Sequence, residues 1–213
     1  MIKACIFDLD GTLVNSLTDL QNAVNTVLQK HQYPTVTQAQ MKQMVGNGIR
    51  KLVERALPNG SDVDRCLEEF TIEYRLHCVD YTRPYPGIQE LLRALKQKGF
   101  QLAVISNKAD PLVKQIVGTL FPAQQFDFVA GMKEGIAPKP DPSALLAVCK
   151  AFGLSPESCV MIGDSNVDMM TARNAKMLGF GVTWGFRSRE ELAQNGATAL
   201  FDTAEQLQSA LLK

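Results

Sequence analysis

Asp8 and Asp10 stand one residue apart, with Gly11 behind them, just past the apolar run Ile2 to Phe7. A second acidic pair, Asp164 and Asp168, follows another apolar run, Cys159 to Ile162. Carboxylates gathered in one place repel one another unless a cation lies among them, and a hard, oxygen-preferring ion such as Mg²⁺ suits such a set. Ser106 follows the run Phe100 to Ile105, and Lys139 lies within Pro138-Lys-Pro-Asp-Pro142. A hydroxyl and an ammonium are the groups that hold the non-bridging oxygens of a phosphoryl group while its charge redistributes. Together these residue types describe phosphoryl transfer. Singly, each has a plainer reading: Asp before Gly is common turn chemistry, Ser106-Asn107 a loop or cap, Lys139 a solvated side chain, and Gly163 to Asn166 a turn capping a helix. Their order, each after a strand of one sheet, is what favours chemistry over coincidence.

The elements that must bring these residues together follow from periodicity. Residues 2 to 7 read as a buried strand stopped by a Gly11 turn. Leu17, Leu20, Val24, Val27 and Leu28 then share a helical face, as do Met41, Met44 and Val45, next Ile49, Leu52, Val53 and Ala56, and finally Val63, Cys66, Leu67, Phe70 and Tyr74. The stretch 15–83 is therefore expected to be all helix. At Arg83-Pro-Tyr-Pro-Gly87 the composition breaks, and strands at 100–105, 126–130, 159–162, 180–183 and 199–201 alternate with helical patterns. Thr37 with Gln40, Ser188 with Glu191 and Thr203 with Gln206 have the spacing of capping boxes. Such alternation implies an α/β fold, a doubly wound parallel sheet with a Rossmann-like core at 1–14 and 84–213, carrying an inserted all-helical domain at 15–83. Ligands of such sheets sit at the carboxyl ends of strands, where this reading puts Asp8, Ser106 and Asp164, with Lys139 in a neighbouring loop.

Composition narrows the partners. The chain has 213 residues, 46% hydrophobic and 21% charged, which excludes a disordered segment. A formal net charge of zero provides no field to draw in nucleic acid or anionic lipid, so any bound anion must be held locally. No run approaches the roughly 20 apolar residues that cross a bilayer. The five cysteines are odd in number and scattered, and read as buried thiols of a reducing compartment. A cytoplasmic monomer or small homo-oligomer is expected, with no nucleic-acid or membrane partner.

The motifs resemble those of the haloacid dehalogenase-like phosphatases over essentially the whole chain. Asp8-Leu-Asp-Gly-Thr-Leu13, Ser106, Lys139 and Gly163-Asp-Ser-Asn-Val-Asp168 match the family's four motifs in order. The resemblance implies that 15–83 is a helical cap, that Asp8 is a nucleophile passing through an aspartyl-phosphate, and that Asp10 is the acid and then the base. It further implies that Mg²⁺ is held by the Asp8 and Asp164 side chains and the Asp10 carbonyl, with Asp168 in support. Ser106, Lys139 and a main-chain donor at Asn107 would bind the phosphoryl group. Gly46-Asn-Gly48, Tyr85-Pro-Gly87, Ser106-Asn-Lys108 and Gly181 to Phe186 are similar to the phosphoglycolate phosphatase branch, so a small phosphorylated metabolite, best 2-phosphoglycolate, is the expected substrate. In that setting Asn47 would face the site and Arg50 reach a substrate carboxylate; as a plain interhelical turn, the same segment would leave Arg50 in solvent. A pyrophosphatase or sugar phosphomutase would share these motifs. A phosphoryl-accepting signalling domain would lack the helical block, and a phosphate sensor would be expected to have lost an acid or the lysine. His31 and His77 have no visible catalytic partner, and Trp184 reads as core or pocket wall.

Overall fold

A computed structural model describes all of residues 1–213. Strand β1 (Ala4–Phe7) leads to a two-residue strand, β2 (Val14–Asn15). Four helices follow, α1 (Leu17–Lys30), α2 (Gln38–Met44), α3 (Ile49–Ala56) and α4 (Val63–His77), and then β3 (Arg83–Pro84), which pairs antiparallel with β2. The chain thus leaves and rejoins the sheet region through adjacent strands. Beyond β3 come α5 (Ile88–Gln97), β4 (Gln101–Ala109), α6 (Asp110–Leu120), β5 (Phe128–Met132), α7 (Ser143–Phe152) and β6 (Cys159–Gly163). The chain ends with α8 (Asn166–Asn174), β7 (Leu178–Val182), α9 (Arg189–Gln194), β8 (Ala199–Phe201) and α10 (Ala204–Leu211).

Six strands form one parallel sheet in the order β5-β4-β1-β6-β7-β8. The continuous apolar runs of β1, β4 and β6 are explained by helices on both faces. Ala4 and Ile6 join Ala103, Ile105 and Met161 in one core, while Cys5 and Phe7 join Leu102, Val104, Val160 and Ile162 in the other. Each large side chain so buried stabilises the fold by about 1.5–3 kcal/mol. The second core continues into α1 to α4 through residues such as Leu20, Met41, Leu52 and Phe70.

The expected doubly wound sheet is present, with differences at element ends. The β4 ladder is regular to Ile105, then shifts register before Ala109 meets Met132, so Ser106, Asn107 and Lys108 lie in an irregularity inside the strand rather than beyond it. Such a bulge re-aims side chains. β5 begins two residues later than its apolar run, because the Phe126 ring packs edge-on against Phe121 and Asp127 bonds the backbone of Leu102. Thr37 and Gln40 complete a reciprocal capping box. Ser188 and Thr203 accept only from the amides of Glu191 and Gln206, and the Gln206 side chain accepts from Asp202 instead. An unforeseen box joins Ser165 and Asp168 at the start of α8. All five cysteines are buried and free. No helix is long and apolar enough to cross a membrane.

Two polar fastenings, one of them buried, hold the helical block to the sheet. Asp19 of α1 accepts from the Tyr81 amide and from both the amide and hydroxyl of Thr82, which pins the returning chain. Arg187, after β7, donates to the carbonyls of Lys42 (2.7 Å) and Val45 (2.6 Å), with a longer bond to Gln43 (3.3 Å). A guanidinium across the carboxyl end of α2 satisfies carbonyls left without helical partners and complements the helix dipole. Arg187→Ala is expected to cost about 1–3 kcal/mol, the scale of charged hydrogen bonds. Native-state amide exchange should accelerate at residues 38–48, where α2 opens locally; no acceleration there would contradict the clamp.

Candidate active site

Strand register decides which groups meet. Phe7 stands opposite Val104 on one side and Ile162 on the other, so the residues that follow each emerge at one rim. The Asp8 amide donates to the Ile162 carbonyl at 2.9 Å, holding the Asp8 backbone beside Gly163-Asp164. Carboxylate oxygens of Asp8, Asp164 and Asp168 lie within 4.8 Å of one another. Asp164 accepts from the Thr12 hydroxyl (3.0 Å) and the Phe186 amide (2.7 Å). This approach depends on glycine: a Cβ on Gly11 or Gly185 would fall inside the Asp164 side chain, and Gly11 has φ +87, which disfavours other residues.

Lys139 is brought into this cluster by Asn107, whose side chain accepts from the Lys139 amide (2.8 Å) and donates to the Lys139 carbonyl (3.0 Å). The Lys139 ammonium bonds Asp168 at 2.6 Å. It also stands 3.0 Å from Asp8 Oδ1 as an ion pair, and that buried oxygen has no other polar partner in the protein. Both Asp168 oxygens are engaged, one by Lys139 and the other by the Ser165 amide and hydroxyl. Asp168 therefore orients Lys139 and the start of α8, while Asp8 and Asp164 retain free lone pairs for a cation. The donor set is all oxygen, as Mg²⁺ requires.

Electrostatics agree with that reading. Burial, opposed by Lys139 and reinforced by Asp168 and Asp10, pushes Asp8 up to about 7. Burial, with Asp168 and Asp8 adding repulsion, pushes Asp164 up to about 8. Burial alone would favour a neutral amine at Lys139, but Asp168 and Asp8 outweigh it and hold the lysine charged. The cluster is short of positive charge, and a divalent cation at Asp8 and Asp164 would supply it.

Asp10 faces a different set. Its Oδ1 accepts from the Ser16 hydroxyl and from the ammonium of Lys108 at 2.6 Å, and Lys108 donates also to the Tyr74 hydroxyl at 2.7 Å. Tyr74 belongs to α4, so this chain of bonds joins the helical block to the rim of the sheet. Asp8, Asp10, Ser106, Asn107, Lys108 and Lys139 line one cavity of about 40 Å³, roofed by Leu20, Val45, Ile49 and Leu52 with the backbone of Gly46 and Gly48.

Two expected residues lie elsewhere. Arg50 points outward to Asp64 at 2.6 Å with its side chain 54% exposed, because an acidic partner on the neighbouring helix competes for it. Asn47 accepts from Arg55 on the exposed side, and only the flanking glycines reach the cavity. His31 and His77 bond Glu69 and Asp80 within the helical block. Trp184 donates to the Thr12 carbonyl, forming the wall behind the first acidic loop. Lys108, Tyr74, Ser16 and Thr12 were not singled out as site residues from sequence. Lys108 and Thr12 do lie inside the motifs Ser106-Asn-Lys108 and Asp8 to Leu13, while nothing local pointed to Tyr74 or Ser16.

A family model for haloacid dehalogenase-like hydrolases matches residues 5–182. A phosphoglycolate phosphatase of Psychrobacter arcticus is 36% identical, covering 98% of this chain and 95% of its own. One of Colwellia psychrerythraea is 35% identical, covering 96% and 95%. A solved structure from Lactobacillus delbrueckii subsp. bulgaricus is 37% identical, with a TM-score of 0.91 over 98% of both chains.

Raised carboxyl groups make stability depend on pH with a definite sign. An Asp is about 3.9 when unfolded, so unfolding releases the protons that Asp8 and Asp164 keep up to about 7 and about 8. Metal-free stability should therefore fall as pH rises from about 4 to about 8. Thermal melts should show this decline, a shallower one in Asp8→Asn, and a larger Mg²⁺ increment at pH 8 than at pH 5. A Mg²⁺ increment that does not grow with pH would contradict the charge deficit.

Proposed function

This chain belongs to the haloacid dehalogenase-like hydrolases and is a phosphatase, and on that premise we propose that it hydrolyses 2-phosphoglycolate through an aspartyl-phosphate on Asp8. The observation that carries the proposal is Asp8 Oδ1, buried with the Lys139 ammonium at 3.0 Å and no other polar partner. An oxygen so placed keeps its lone pair for attack in line on phosphorus, while Lys139 and Ser106 hold the non-bridging oxygens. Asp10, on the other side of the cavity, protonates the leaving oxygen and then takes a proton from the water that releases phosphate. The side chains of Asp8 and Asp164 and the carbonyl of Asp10 would hold Mg²⁺, which would supply the positive charge an anionic ester needs to approach an anionic carboxylate. Asp168 keeps Lys139 aimed, and Asn107 holds the Lys139 backbone.

Residues 15–83 act in this reading as a cap over a core formed by 1–14 and 84–213. Leu20, Val45, Ile49 and Leu52 would exclude water from the reacting centre. A compact cavity under an apolar roof favours a small ester over a nucleotide, and the relatives named phosphoglycolate phosphatases favour 2-phosphoglycolate among small esters. Free buried thiols suit a cytoplasmic protein.

Phosphate release is the test, across 2-phosphoglycolate, sugar phosphates, nucleoside monophosphates and pyrophosphate, with Mg²⁺ or with chelator. Release from 2-phosphoglycolate should dominate, vanish with chelator and fall by about a thousandfold or more in Asp8→Asn. Equal release from many esters would discard the substrate, and preferred release from pyrophosphate would favour the pyrophosphatase alternative. Turnover insensitive to both chelator and Asp8→Asn would discard the mechanism.

A further inference from the structure

The phosphoryl end of the cavity is furnished by Lys139 and Ser106, but nothing so far reads the rest of the ester. Arg50, the expected partner for a substrate carboxylate, is turned outward to Asp64. The roof is apolar side chain and glycine backbone. One other cation lines the cavity, Lys108, with its side chain 3% exposed. An ammonium has three donors, and two of them are spent on Asp10 Oδ1 and the Tyr74 hydroxyl. The third has no acceptor in the protein. A buried charge with an idle donor is costly unless a ligand completes it.

Position specifies the ligand. The ester oxygen must lie against Asp10 to receive its proton, and Lys108 is bonded to that same carboxylate. Whatever is attached one carbon beyond the ester oxygen therefore comes next to the Lys108 ammonium. We propose that Lys108, positioned by Tyr74, is the specificity-determining residue that binds the carboxylate of a phosphoester whose negative charge lies one carbon from the ester oxygen. This rests on the hydrolase reading above and assigns its substrate selection to a residue of the sheet rather than of the helical block. Tyr74 supplies the link to that block: α4 must be seated for Lys108 to be held.

The test is equilibrium binding by calorimetry in the Asp8→Asn background with Mg²⁺ present, comparing 2-phosphoglycolate with ethyl phosphate, which lacks the carboxylate. Lys108→Met should weaken 2-phosphoglycolate by about 30-fold or more and ethyl phosphate by less than about threefold. Lys108→Arg should recover part of the difference. Should Lys108→Met fail to fold, Tyr74→Phe carries the same test, since it keeps the ammonium and frees it to wander: 2-phosphoglycolate should weaken and ethyl phosphate should not. Equal losses for both esters, or no loss for either, overturn the inference. Preference for 2-phosphoglycolate in the parent protein, with a ratio unmoved by Lys108→Met, overturns it while leaving the proposed function standing. Absence of that preference in the parent overturns both.

Discussion

Carboxylates packed at the end of a parallel sheet cannot all stay ionised out of water unless positive charge is fixed among them, and this constraint shapes the rim around Asp8. Repulsion between unit charges a few ångströms apart amounts to several kcal/mol at the effective dielectric of a protein site. Two ammonium groups answer it in different places: Lys139 between Asp8 and Asp168, and Lys108 against Asp10. What they leave unbalanced lies at Asp8 and Asp164, where burial and mutual repulsion raise both groups. That imbalance is what a divalent cation at Asp8 and Asp164 would relieve, so the cost of the cluster and its proposed use have one origin.

The rest of the architecture serves to hold those charges in register. Parallel pairing of β1 with β4 and β6 brings three distant sequence segments to one edge. Glycines at 11 and 185 allow Asp164 to approach more closely than any side chain there would permit. Asn107 spends its amide on the Lys139 backbone, which makes it a positioning residue rather than a direct ligand through its side chain. The helical block is tied back by Asp19 at its exit and by Arg187 at α2, and its roof residues complete the cavity.

Much of this was legible in the sequence, and the limits were physical. Buried strands such as Cys159 to Ile162 announce themselves as apolar runs, and Asp8, Ser106 and Asp164 follow from where such runs stop. The block 15–83 was visible as helix because its apolar residues repeat with helical spacing. The register shift after Ile105 was not, because a bulge depends on the partner strand and on Gly131, which lies against the Lys108 carbonyl. Arg50 and Lys108 illustrate the same limit at the site. A long cation binds whichever acid the tertiary structure offers, and nothing local indicates that Arg50 finds Asp64 while Lys108 turns inward to Asp10 and Tyr74.

The central claim is that Asp8 carries the phosphoryl group during turnover. Borohydride added to the enzyme quenched while hydrolysing substrate reduces an acyl phosphate to the alcohol, converting the labelled aspartate to homoserine. Peptide mass spectrometry should find homoserine at position 8 and at no other acidic residue, and only when substrate and Mg²⁺ are both present. An unmodified Asp8 under conditions of rapid phosphate release, or conversion at Asp10, Asp164 or Asp168 instead, would contradict the account.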